Sequence, residues 1–514
     1  MKKIFITAAS ICLITACTSL KPKSDIGFVI HEATLSTLHD AIAKGTSCES
    51  ITSSYINRIK KYDKTANLNA IILINPNAIN RARDMDTKFK TTGKQTTLHC
   101  APVILKDNFD TADMPTEAGA IALKGSIPPD DAFMVKKLRQ AGAIIIAKSN
   151  MAEWAFSPYE TISSTHGETT NAYDITRVPA GSSGGTASAI AANFGIIGMG
   201  SDTGNSIRGP ASHLSLVGIR STIGMTSRDG VVPLLLNRDI AGPLMRTVED
   251  AAKVFDVIGG YDSADPTTIP AKKYFKKNYT VFLKNSGLQN ARLGVLRQIY
   301  DDTSDPEVIA LFDQATKDLS KLGATIVDPV QVENFDQLKN ATGFCSRFRY
   351  DLDNYLVSLG NTAPVKNLQE IIDKNLFDEQ NAGAMKWASS VNVKPEEQSP
   401  PCVDVEGDPR RKQFLDAILK TMKDNQLDAL IYPSWSNPPR KIGDSKSAHG
   451  NNSPVIAPHT GQPAITVPMG FTKQGLPAGL QILAAPFDEH KLFQYAYAYE
   501  QATLHRKAPV LTTE

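Results

Sequence analysis

Eight of the 29 residues from Gly181 to Gly209 are glycine, and serines sit among them. Glycine this dense marks backbone that approaches something closely or takes positive φ. The flanking sequence alternates two patterns. Short apolar runs at Asn69–Leu73, Val103–Leu105 and Ala143–Ala147 are expected as buried strands, with helix-like stretches between them. That alternation points to an α/β protein with a mixed or parallel sheet.

The helical pattern begins early. Thr34 is placed to cap a helix whose Leu35, Leu38 and Ile42 share one face, and Gly45 is its stop signal. A second helix is expected from Ser47 to Lys61, with Ile51, Tyr55 and Ile59 on one stripe. Residues 262–425 are more polar and poor in motifs, and 390–412 reads as a surface excursion. Compact patterning then returns, with strands at Ala429–Tyr432 and Ala464–Val467 and a helix from Asp488 to about His505.

The whole-chain balance narrows the function classes. In 514 residues, 55 Lys+Arg oppose 53 Asp+Glu, a difference of +2, so no strong field points to nucleic acid or a polyanion. Hydrophobic residues at 41% exclude general disorder.

Residues 1–16 are a separate object. Lys2 and Lys3 precede an apolar run ending at Ala16, too short to span a bilayer, where about 20 apolar residues are needed. Leu13-Ile14-Thr15-Ala16-Cys17 has the form of a bacterial lipobox, so Cys17 is expected to carry lipid and 17–30 to be a linker. Thr18 rather than Asp after that cysteine favours a periplasm-facing outer-membrane anchor. Export places Cys48, Cys100, Cys345 and Cys402 in an oxidising compartment; they form two disulfides in one of three pairings or remain buried thiols.

Chemistry concentrates in three places. Pro179-Ala180-Gly181-Ser182-Ser183-Gly184-Gly185 and Asp202-Thr203-Gly204-Asn205-Ser206-Ile207-Arg208 hold serines in glycine-rich loops. Lys106 ends the strand Val103–Leu105, where desolvation lowers its pKa and suits it to act as a base. A serine nucleophile needs such a base and N–H donors for the developing oxyanion, and consecutive N–H groups at Thr203, Gly204, Asn205 and Ser206 make a candidate nest.

In this order the motifs resemble the amidase signature family. In that family the cis-serine is the first serine of P-x-G-S-S-G-G, here Ser182, the nucleophile is here Ser206, and the base is here Lys106. Gly218-Ile219-Arg220, Ser227-Arg228-Asp229-Gly230, Gly461-Gln462-Pro463-Ala464 and Gly475-Leu476-Pro477-Ala478-Gly479 extend the likeness over roughly Ala33 to Pro509. Ser149-Asn150-Met151-Ala152-Glu153-Trp154 is similar to exported bacterial enzymes of the peptide-amidase type.

The resemblance implies a central mixed sheet flanked by helices on both faces, in one amidase domain over 31–510 with pocket walls from the divergent 262–425. It implies hydrolysis of a carboxamide or peptide-type amide through an acyl-serine, with no cofactor and no metal. The implied partners are a small-molecule or peptide amide and, through the lipid, a membrane. Thr203 to Ser206 would form the oxyanion hole, with Asp202, Arg208 and Ser183 as loop support. Four departures stand out: Asn205 and Ala180 replace usual glycines, Cys100-Ala101 a usual Gly-Ile before Pro102, and Ser221 a usual proline. Asn205 is the one able to alter substrate fit.

Other readings compete. Gly181-x-Ser183-x-Gly185 fits the nucleophile elbow of an α/β-hydrolase, which requires a strand directly before it. Within the family, the chain could be the amidase component of a tRNA-dependent amidotransferase, against which the export signal argues. A catalytically silent binding lipoprotein would be favoured by loss of Lys106, Ser182 or Ser206, and all three are present. His166, His213 and His459 are expected as hydrogen-bonding residues and not metal ligands.

Overall fold

A computed structural model describes residues 28–511. The expected signal segment, Cys17 and most of the linker lie outside the described residues. The first helix forms as its pattern predicts: Leu35–Ala43 buries Leu35, Leu38 and Ile42, and the Thr34 hydroxyl accepts from the N–H of Thr37. The second, Cys48–Tyr62, is capped by Ser47 and buries Ile51, Tyr55 and Ile59.

Among the described residues thirteen strands follow in chain order: β1 (Ile71–Ile74), β2 (Pro102–Lys106), β3 (Ile144–Ser149), β4 (Ile162–Ser163), β5 (Gly167–Glu168), β6 (Ile197–Asp202), β7 (Val217–Arg220), β8 (Ile240–Met245), β9 (Arg292–Val295), β10 (Thr325–Val327), β11 (Ala429–Pro433), β12 (Ala464–Phe471) and β13 (Pro477–Ala484). β4 and β5 make a small hairpin. The other eleven form one mixed sheet in the order β1-β3-β2-β6-β8-β7-β12-β13-β11-β9-β10. β2 runs parallel to both β3 and β6, and β9 parallel to both β11 and β10. The antiparallel strands β8, β7, β12 and β13 join these two parallel blocks.

Every residue of β2, β3, β6, β8, β11 and β13 is buried. Strands covered on both faces lose the polar–apolar alternation, which explains why they read as plain apolar runs. Helix Gly184–Ala191 packs on β2 and β6, Arg208–His213 on β12 and β13, Val248–Ile258 on β8, and Glu489–Thr503 on β12 and β13. β6, β7, β8 and β13 escaped the run-based reading because glycines, prolines or polar residues interrupt them.

The glycine-dense segment works by close approach alone. None of its eight glycines has positive φ. A methyl group on Gly185 would lie 2.2 Å from the Asn150 carbonyl oxygen, and one on Gly198 would lie 2.6 Å from Ile190. Glycine therefore lets helix Gly184–Ala191 seat directly on the sheet.

A second apolar core lies outside the main one. Phe348, Leu352, Leu356, Leu368, Met385 and Ala388 pack on Leu123, Met151, Trp154 and Val232, forming a helical cap over one end of the sheet. The four cysteines among the described residues are paired as Cys48–Cys100 and Cys345–Cys402. The segment 390–412 is anchored and not simply a surface excursion, since Cys402 and Arg411 are fully buried.

Candidate active site

β2 and β6 are parallel neighbours, and both end at the same rim of the sheet. β2 delivers Lys106 there and β6 delivers Ser201 and Asp202; Lys106 is fully buried. Lys106 Nζ lies 2.7 Å from Ser182 Oγ and 2.9 Å from Ser201 Oγ. Burial pulls the lysine pKa down to about 7, while the more distant Asp239 and Asp202 carboxylates pull it back up.

Ser182 and Ser183 lie just ahead of helix Gly184–Ala191, after a cis Gly181–Ser182 peptide. Ala180 has φ +63°, so it keeps the left-handed geometry that the usual glycine would take freely. The Ser183 hydroxyl donates to the Ser201 carbonyl at 3.2 Å, and the side chain is fully buried. No strand leads into this loop, so the nucleophile-elbow reading is excluded.

The loop from Thr203 to Ser206 follows β6. Among the described residues, the N–H groups of Thr203, Gly204, Asn205 and Ser206 donate to no protein acceptor. Unpaired backbone N–H groups beside a serine are the kind of donor an oxyanion site uses. The Ser206 hydroxyl likewise has no hydrogen-bond partner among the described residues, and Ser206 lines a cavity of about 410 Å³. Lys106 and Ser182 are therefore already joined, while the Ser182–Ser206 link is open; such links commonly tighten only when substrate is bound.

Asp202 anchors the loop from below. Arg208 Nε donates to Asp202 Oδ2 at 3.0 Å and Arg220 donates to Asp202 Oδ1 at 3.0 Å, with all three side chains inaccessible to solvent. Burial alone would raise the Asp202 pKa, but the two guanidinium groups outweigh it and hold the carboxylate below its usual range. Arg208 also donates to the Gly204 carbonyl at 2.6 Å and to the Ser453 carbonyl at 2.7 Å. Asp202 and Arg208 are thus bonded to the loop after β6, and Ser183 to the Ser201 carbonyl on that strand.

The Asn205 side chain does more than border the cavity. Its amide donates to the carbonyls of Pro158 at 3.2 Å and Gly181 at 3.3 Å, tying the Ser206 loop to the Ser182 loop. Three further participants were missed from sequence. Ser201 and Asn108 hydrogen-bond at 3.0 Å beside Lys106, and Asp239 accepts from the Thr203 hydroxyl at 2.5 Å. Ser201 and Lys106 are 95 residues apart. Only the register of β2 on β6 reveals the pairing, although Asn108 lay within the Lys106 motif.

The histidines occupy packing positions. His459 Nδ1 faces Arg238 at 2.7 Å, His166 pairs with Glu117 at 3.0 Å, and burial against Trp435 drives the His213 pKa down to about 3.

Fold and site together define an α/β hydrolytic architecture in which two serine loops and a desolvated lysine meet at the strand ends. The chain belongs to the amidase family, whose sequence model matches residues 50–493. A probable amidase of Arabidopsis thaliana is 33% identical over 499 residues, covering 94% of this chain and 92% of the relative. A glutamyl-tRNA(Gln) amidotransferase subunit of Gloeothece citriformis is 32% identical over 508 residues, covering 93% and 99%. Among solved structures, native peptide amidase from Stenotrophomonas maltophilia superposes with a TM-score of 0.84 at 33% identity, covering 95% and 100%. The protein is an amide-hydrolysing enzyme of this family.

Proposed function

We propose that the protein is an exported, lipid-anchored amidase that uses Ser206 as nucleophile, Ser182 as proton shuttle and Lys106 as base. The observation that carries the assignment is the 2.7 Å contact between the buried Lys106 Nζ and Ser182 Oγ, with the lysine pKa lowered to about 7. Neutral Lys106 accepts the Ser182 proton, and Ser182 accepts that of Ser206 as its oxygen attacks the amide carbon. The N–H groups of residues 203–206 hold the oxyanion. Ser182 then protonates the departing nitrogen, the C–N bond breaks, and an acyl-Ser206 ester remains. Water, deprotonated through the same relay, attacks the ester; the carboxylate leaves and Ser206 regains its proton.

The test is a panel of primary and secondary amides given to the chain lacking residues 1–17, with a chelator present. Release of ammonia or amine is expected, and its loss in Ser206→Ala. Turnover surviving Ser206→Ala at the wild-type rate sinks the assignment, because removing a nucleophile of this kind costs on the order of 10⁴–10⁶ in kcat.

Export is supported by the leader pattern ending at Cys17 and by the two cysteine pairs, since disulfides persist in oxidising compartments. The same pairs speak against a cytoplasmic amidotransferase component. When the full chain is expressed in a bacterium fed alkynyl palmitate, the label is expected on wild type and absent from Cys17→Ser. An unlabelled wild type would remove the anchor from this reading.

A further inference from the structure

We propose that the cavity beside Ser206 selects an aromatic, uncharged side chain on the acyl part of the amide. The proposal rests on the assignment of Ser206 and Ser182 above. The cavity, about 410 Å³, is walled by Phe156, Tyr159, Leu234, Phe344, Trp387 and Pro454, and no Asp, Glu, Lys, Arg or His lines it. That is the small end of the range for ligand pockets, about 300–1,000 Å³.

The walls are fixed from behind. Phe156 packs on Phe348 with ring centroids 4.9 Å apart, Tyr159 on His449 at 4.6 Å, and Phe344 on His459 at 5.1 Å. Aromatic rings held in this way make a preformed slot for another ring, by offset or edge-to-face contact. Two cations behind these walls are already engaged. Arg238 stacks on Phe344 at 4.6 Å and donates to the carbonyls of Thr342 and Gly343, while Arg440 sits over Tyr159 at 5.2 Å. Neither is a lining residue, so a carboxylate or ammonium entering the slot leaves water without meeting an opposite charge.

The site also orients the substrate. The leaving nitrogen must meet Ser182, which with Lys106 is fully buried and lines no part of this cavity. The cavity instead adjoins residues 203–206, so the group it receives belongs to the acyl side.

The test compares four probes at pH 8: the α-amides of N-acetyl-phenylalanine, N-acetyl-alanine, N-acetyl-lysine and N-acetyl-aspartate. The phenylalanine amide is expected to exceed the alanine amide in kcat/KM by about tenfold or more. It is expected to exceed the two charged amides by about 100-fold. Trp387→Ala and Phe344→Ala should each cut the phenylalanine-to-alanine ratio by about tenfold, with folding checked by thermal melting. Phe344 is partly exposed, so its replacement leaves the cores intact.

Calorimetry on the Ser206→Ala protein separates this inference from the catalytic reading, since binding preference survives without turnover. Tighter binding of the phenylalanine amide supports the slot even if the proton relay is assigned wrongly. Equal binding of all four amides, or a charged amide hydrolysed as fast as the aromatic one, overturns it.

Discussion

Replacing Lys106 by alanine is expected to lower kcat/KM by about 10⁴-fold or more, the scale seen when a member of a serine relay is removed. The effect is large because the neighbouring carboxylates are committed elsewhere, Asp239 to the Thr203 hydroxyl and the N–H groups of Leu234 and Leu235. Ser182 and Ser201 both face Lys106 Nζ, and the Asp202 carboxylate is committed to Arg208 and Arg220. The wild-type pH profile carries a second signature. Lys106 has its pKa lowered to about 7, so it is charged and unable to act below that value and neutral above it. Log kcat/KM should therefore climb with unit slope as pH rises toward about 7, then level off. An unperturbed lysine would place that limb near 10.4, roughly where model lysines titrate. A profile still climbing steeply above pH 9 would contradict a desolvated base at this position.

Asp202→Ala is expected to cost about 3–5 kcal/mol of stability, because it strands two buried guanidinium groups without their shared carboxylate. Arg208 would keep its carbonyl partners Gly204 and Ser453, which satisfy hydrogen bonds but not charge. Urea unfolding of the variant against Ser206→Ala, whose small side chain anchors nothing, isolates the effect. A loss below about 1 kcal/mol, typical of an exposed pair, would mean that the cluster is not the loop's anchor. The pH dependence has a defined sign. Asp202 titrates below its ordinary range in the folded state, so its contribution is intact above the unfolded aspartate value of about 3.9 and is lost as pH falls through the folded one.

The first two helices formed where the pattern placed them, because Thr34 and Ser47 supply caps and the apolar positions share a face, all local properties. The buried strands β2, β3, β11 and β12 were legible as apolar runs. β6 was not: its Gly198, Gly200 and Ser201 look like loop until a helix is seen to require those glycines for close contact. The divergent segment 262–425 does reach the pocket through Phe344, Ala384 and Trp387. Most of the wall, however, comes from 155–159, 203–206, 234–235 and 451–454, segments that share no sequence feature.

The amino-acid sequence by itself determined which groups were available for chemistry: two serines in glycine-rich loops 24 residues apart, a lysine at a strand end, and the family they define. Tertiary structure alone decided how those groups behave. The Lys106 pKa falls because β6 and the Ser182 loop exclude water from it, and desolvation depends on neighbours far apart along the chain. The aromatic slot exists for the same reason, since six separate stretches meet there only after the sheet and its cap have folded.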